Sequence, residues 1–102
     1  MNIASITGIA LSGMNAQTNR LAAVANNIAN ADTPDYKRQT VASVSTSNPA
    51  GVGTTVTSGA EDVDLATEML ELSEAELSYK ANAAVFEAGA DLWDVLAAVK
   101  RD

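Results

Sequence analysis

The chain contains no cysteine and no histidine. The first absence excludes a disulfide framework and thiolate chemistry. The second removes the commonest general base and the commonest metal ligand. Aromatic residues are reduced to Tyr36, Tyr79, Phe86 and Trp93, and proline to Pro34 and Pro49. Basic residues are also few: six against thirteen acids, for a net charge of −7. That balance argues against a phosphate-backbone partner, so no nucleic acid is expected. No apolar run reaches the ~18 residues needed to span a membrane, so no direct insertion is expected. Ile3 to Met14 is fairly apolar, but no Lys or Arg precedes it and Asn15, Gln17, Asn19 and Arg20 follow. The segment therefore reads as mature structure and not as a cleaved signal.

What is present is helical periodicity at both ends. From Leu65, alternate steps of four and three give Leu65, Met69, Leu72, Glu76, Tyr79, Ala83, Phe86, Ala90, Trp93 and Ala97. Only Glu76 breaks this apolar heptad seam, which predicts a long helix over 61–101 that packs lengthwise against other helices. Glu61, Asp62, Asp64 and Glu68 at its start, and Lys100 and Arg101 at its end, complement the helix dipole. A second pattern, Ile3, Ile6, Ala10, Met14, Gln17, Leu21, Val24 and Ile28, predicts a helix over 3–30 capped by Asn2 or Ser5. Gly8 and Gly13 each cost it about 1 kcal/mol against alanine. Asn26, Asn27 and Asn30 crowd its last turns, where asparagine bonds its own backbone more readily than it extends a helix. Thr33-Pro34 stops it.

Between the helices, Thr40 to Ser58 carries no charge. Two β-like runs, 40–46 and 54–58, flank Asn48-Pro49-Ala50-Gly51. Such a segment forms either a two-stranded hairpin, marginal alone, or a flexible linker, and the balance tips toward a linker with strand tendency. The expected fold is all-α: two long terminal helices packed as an antiparallel coiled-coil-like hairpin, with a short β-prone or flexible middle. The expected division is 1–30, 31–60 and 61–102 within one structural domain. The two helices differ by 13 residues, so about 20 Å of the longer one is left uncovered at Leu92, Trp93, Val95, Leu96 and Val99. A chain of this kind is expected to associate.

Glu68, Glu71, Glu74 and Glu76 offer paired carboxylates, but a run of glutamates on a helix reads as a solvated face. Without histidine, cysteine or a Gly-rich phosphate loop, neither an enzyme nor a cofactor, metal or small-molecule site is expected. A coiled-coil adaptor or secretion-associated interaction protein accounts for the heptads and the acidity but not for residues 26–38.

Those residues carry a resemblance. The stretch from Ala10-Leu11-Ser12-Gly13-Met14-Asn15-Ala16-Gln17 to Val24-Ala25-Asn26-Asn27-Ile28-Ala29-Asn30-Ala31-Asp32-Thr33-Pro34-Asp35-Tyr36-Lys37-Arg38 resembles the N-terminal signature of bacterial flagellar rod and hook proteins. Val63 to Met69, Tyr79-Lys80-Ala81-Asn82 and the residues on to Leu96 resemble the family's C-terminal signature. The chain departs at Asp35, where the family usually has glycine, and in its short middle. The resemblance implies a small, proximal-rod-like structural subunit of the basal body in the periplasm. Such subunits leave through the flagellar type III export apparatus without a cleaved signal. Their terminal helices pair and stack with their own kind and with other rod subunits into a helical tube. On this reading the subunit interface comprises Asn26, Asn27, Asn30, Thr33, Pro34 and Tyr36 near the turn. Leu65, Met69, Leu72, Tyr79, Phe86, Trp93 and Leu96 complete it along the C-terminal helix.

Overall fold

The computed structural model describes residues 2–101. Helix α1 (Ile3–Ala29) leads into strands β1 (Gln39–Ser47) and β2 (Ala50–Ser58), followed by helix α2 (Leu65–Arg101). Asn2 caps α1, its side-chain oxygen accepting from the Ser5 N–H at 2.8 Å. At the other end the Asn30 N–H donates to Asn26 O at 3.1 Å, and the chain turns away through 30–35. Asp35 sits in the left-handed region at φ 62°, which explains how an aspartate stands where glycine is usual: short polar side chains tolerate this conformation. Asp35→Ala is expected to cost about 1 kcal/mol and Asp35→Gly to cost nothing, as read from thermal unfolding.

The fold is mostly helical but not all-α. The middle segment is an ordered antiparallel hairpin with Val41 opposite Val56 and Ser47 opposite Ala50. The sequence alone leans toward a linker because a lone hairpin is marginal in water. Here α1 supports it: Ser12 Oγ accepts from the Val52 N–H at 3.0 Å, and Asn19 donates to Thr54 Oγ1 at 2.8 Å. The layers are therefore hairpin, α1 and α2, with α1 in the middle.

Helix α2 begins at Leu65, four residues later than the charge pattern suggests. The Arg38 N–H donates to Glu61 O at 2.9 Å, holding that residue against the hairpin base. Asp64 caps the helix through Ala66 N–H at 3.3 Å and Thr67 Oγ1 at 2.9 Å. Of the four expected acids only Glu68 lies in the first turn, and the Arg101 side chain lies outside the described residues. Among the described residues, no helix is long and apolar enough to cross a membrane.

The two helices run antiparallel. Thr7 meets Gly89, Gly13 meets Asn82, Arg20 meets Glu74 and Asn27 meets Glu68. The contact stripe of α2 is Glu68, Glu71, Ala75, Ser78, Asn82 and Gly89, all buried or half-buried. It lies one residue, or about 100°, away from the heptad seam. The expected coiled-coil packing of that seam on α1 is thus not what joins the helices. Small residues let the backbones approach. A Cβ built on Gly13 would stand 2.6 Å from Asn82 Oδ1, and one on Gly89 would stand 2.5 Å from Thr7 Cγ2. Close approach is what Gly13 supplies in return for its poor helix propensity, whereas Gly8 meets nothing. Gly13→Ala is expected to destabilise the fold by about 1–2 kcal/mol, and Asn82→Ala in the same chain to restore most of that in urea unfolding.

The buried hydrophobic residues are Ala10, Ala16, Ala23, Val24 and Ala75. Only one exceeds alanine in size, so the apolar core within a single chain is small. Past Asp94, α2 runs on beyond the start of α1 by seven residues, roughly 10 Å, shorter than the 13-residue overhang expected because the helix starts late. Val95, Leu96 and Val99 are exposed there, and Leu92 and Trp93 are exposed just before it.

Candidate functional site

Two features stand out: a buried polar cluster where hairpin and helices meet, and an apolar surface on α2. The cluster is built around Asn27 and Glu68, both fully buried, and Arg38, 8% exposed. Arg38 Nε donates to Glu68 Oε1 at 2.6 Å, and its Nη2 to Glu71 Oε1 at 3.0 Å. Hydrogen bonding to Glu68 raises the Arg38 pKa above its ordinary value, with burial opposing and Glu71 assisting. Arg20 extends the network to Glu71 at 3.6 Å and Glu74 at 2.8 Å. Three of the glutamates read from sequence as a solvated face are therefore ion-paired across elements, and one is fully enclosed. Glu76 alone of the four pairs within its own helix, with Lys80 at 3.0 Å.

Asn27 binds Gln39 at both ends of its amide. Its Oδ1 accepts the Gln39 N–H at 2.7 Å and its Nδ2 donates to Gln39 O at 2.9 Å. A primary amide used this way imitates a neighbouring β-strand. Nδ2 also donates to Glu68 Oε1 at 3.2 Å. Tyr36 Oη donates to Asn27 Oδ1 at 3.2 Å and accepts from Asn26 Nδ2 at 3.1 Å. Asn30 Nδ2 donates to Asn26 O at 2.9 Å, and Thr33 Oγ1 to Asn30 Oδ1 at 3.2 Å. The asparagine run expected at a subunit contact thus spends its hydrogen bonds inside the chain. Asn27 is enclosed, Tyr36 and Asn30 are half-buried, and Asn26, Thr33 and Pro34 stay at the surface. At the cluster's rim Lys37 pairs with Asp62 at 2.7 Å. The hydrogen bond to Lys37, then its charge, hold the exposed Asp62 carboxyl below the usual range. A depressed folded pKa favours the fold above the unfolded value and loses that effect as pH falls through the folded one. Lys37→Met is expected to return Asp62 to the ordinary range in an NMR titration.

The sequence pattern missed Arg38, Glu68 and Glu71 as partners. A usable signal was there: 68, 71, 75, 78 and 82 are spaced three and four apart and are all small or polar. Read as a helix face, they mark close contact with another helix.

The second feature is the flank and back of α2. Leu65, Met69, Leu72, Tyr79, Phe86, Trp93 and Leu96 are all exposed, and Met69 reaches 65%. Leu70, Leu77, Val85, Val95 and Val99 add to them. Among the described residues, thirteen of seventeen exposed large hydrophobics lie on α2, the kind of concentration that marks an interaction surface. Near the free end, Ile3, Thr7, Phe86, Ala90 and Trp93 border an open cleft of about 350 Å³.

Comparison with known proteins bears on the first feature. Residues 9–37, most of α1 and the turn that feeds the cluster, match the family described as Flagella basal body rod protein. The chain is 55% identical over 47 residues to the flagellar hook protein FlgE of Rhizobium meliloti (strain 1021). That match covers 46% of this chain and 11% of the hook protein, so the chain spans about a tenth of the length of the curated relative it matches. The matched region holds Asn27, which ties α1 to the hairpin, and Asn26, Tyr36 and Lys37, which hold the turn beside it. With the asparagine run, the Thr-Pro turn and their geometry in hand, the chain is similar over residues 9–37 to the flagellar rod and hook proteins.

Proposed function

We propose that this protein is a structural subunit of the flagellar basal-body rod and performs no catalysis. It assembles with copies of itself and with other rod subunits by burying the apolar side chains of α2. One observation carries the proposal: a chain whose core is four alanines and a valine exposes Leu, Met, Phe and Trp along the length of α2. Each such side chain, once buried, contributes roughly 1.5–3 kcal/mol. The apolar burial that the single chain lacks is therefore supplied by neighbours, and stability rises with subunit concentration. Leu65, Met69, Leu72, Tyr79, Phe86, Trp93 and Leu96 form the contact along the rod. The overhang past Asp94 and the cleft beside Trp93 meet the next subunit. Asn26, Thr33, Pro34 and the outer edge of Tyr36 border a neighbour, whereas Asn27 acts by fixing the hairpin and Asn30 by fixing the turn. Contacts of this head-to-tail kind do not close and give a helical tube. The site of action is the periplasmic rod, reached through the flagellar type III export apparatus.

A photo-cross-linking residue placed at Met69 in flagellated cells tests this. Capture of rod or hook subunits in isolated basal bodies is the expected result. Capture of no axial protein from cells with intact flagella would overturn it.

A further inference from the structure

The hairpin has two edges, and α1 blocks each at one point only. Gly59 N–H donates to Arg38 O at 2.9 Å, so in the observed register the even residues of β1 and the odd residues of β2 bond across the hairpin. The backbone groups of odd β1 residues and even β2 residues then point outward. Two independent contacts agree. The outward groups of Gln39 are taken by Asn27, and the outward N–H of Val52 by Ser12. Beyond these blocks, Val41, Ser43 and Ser45 on β1 and Thr54, Val56 and Ser58 on β2 make no further backbone hydrogen bond among the described residues.

Exposed edges are usually protected by lysine, proline or a charge pointing inward. This one has none: Gln39 to Ala60 is uncharged in a protein of net charge −7. It is the stretch over which a second copy approaches with least repulsion. The two free edges are also matched in length. Antiparallel pairing of β1 with β2 of another copy sets Val41 against Ser58, Ser43 against Val56 and Ser45 against Thr54. In that register the blocked Gln39 and Val52 fall just outside the paired stretch at either end, so the blocks themselves fix the alignment. Three such pairs make about six inter-chain hydrogen bonds.

We infer that the free edge of β1 pairs with the free edge of β2 on a second copy of this chain, so that hairpins of successive copies join side by side into one continuous sheet. Pairing of unlike edges leaves a free edge at each end, so it propagates. The inference concerns copies of this chain and does not require the rod. A chain that enters flagella yet never pairs through these strands would sink it and leave the functional proposal standing.

The absence of cysteine makes the test direct. Val44 and Thr55 of adjacent copies would face each other in a non-hydrogen-bonded pair, within reach of a disulfide. Val44→Cys and Thr55→Cys chains, each made separately, are mixed at high concentration and oxidised. Cross-linked dimer is expected from the mixture at least tenfold above either variant alone. No dimer from the mixture, or equal dimer from one variant alone (as pairing of like edges or random collision would give), overturns the inference. Ser43→Pro removes an outward N–H and leaves the ladder within the hairpin intact. Introduced into both cysteine chains, it should abolish the dimer while circular dichroism stays unchanged. Undiminished cross-linking in those chains would also overturn it.

Discussion

Arg38→Met is expected to unfold the junction between hairpin and helices, at a cost of about 3–5 kcal/mol. Glu68 is fully enclosed, and Arg38 Nε is its charged partner at 2.6 Å. Removing the guanidinium leaves a carboxylate buried with only the Asn27 amide against it. One Glu68 oxygen, Oε2, already has no partner, so no reserve of hydrogen bonds exists on that side. A small domain has only about 5–15 kcal/mol of total stability. The apolar core here is mostly alanine, so the lower part of that range applies and the loss is large. Urea unfolding followed by circular dichroism measures it. The companion variant separates charge burial from packing. Glu68→Met combined with Arg38→Met removes both charges and should recover most of the stability, because apolar replacements of a buried pair are often neutral. A double variant as unstable as Arg38→Met alone would show that the pair acts by shape and not by mutual neutralisation. Arg38→Lys should fall between, since a single ammonium cannot serve Glu68 and Glu71 with the same fork.

The second large effect concerns association. Met69→Asp with Trp93→Asp is expected to leave the isolated chain within about 1 kcal/mol of its original stability, since aspartate costs an exposed helix position only tenths of that. Both side chains are largely exposed in the single chain, at 65% and 60%. Assembly should respond differently. Losing two apolar side chains worth roughly 1.5–3 kcal/mol each weakens subunit association by at least about a hundredfold. Sedimentation of the purified chain over a concentration series, together with motility of cells carrying the variant, measures this. Unchanged association and full motility would count against the α2 surface as the contact. The contrast with Arg38→Met is useful: one change acts inside the chain, the other between chains.

Much of the architecture is legible in the residues. Period and capping place two helices, and the structure starts the first at Ile3 behind Asn2. The asparagine run and Thr33-Pro34 mark the end of α1, and the same stretch carries the family resemblance. The antiparallel sense of the helices follows from a connector that joins two adjacent ends. An uncovered C-terminal end follows from unequal lengths, although the overhang is shorter than counting suggests.

The orientation of α2 about its own axis was not legible. A heptad seam states which residues are apolar; it does not state which neighbour they face. Here the partner helix is met by Glu68, Ala75, Ser78 and Gly89, one residue over, because small side chains and a buried Arg38 let the backbones come closer than leucines would. The hairpin was undecided for a similar reason. Thr, Ser and Val in 40–58 suit a strand or a loose linker equally, and what settles the matter is α1 lying alongside with Asn27 and Ser12 bonded to the strand edges. Local pattern therefore determined the two helices and their order. Only the tertiary structure decided which face of α2 turns inward, and that the asparagines bind their own chain, because those outcomes depend on long-range pairing of buried polar groups that no local spacing encodes.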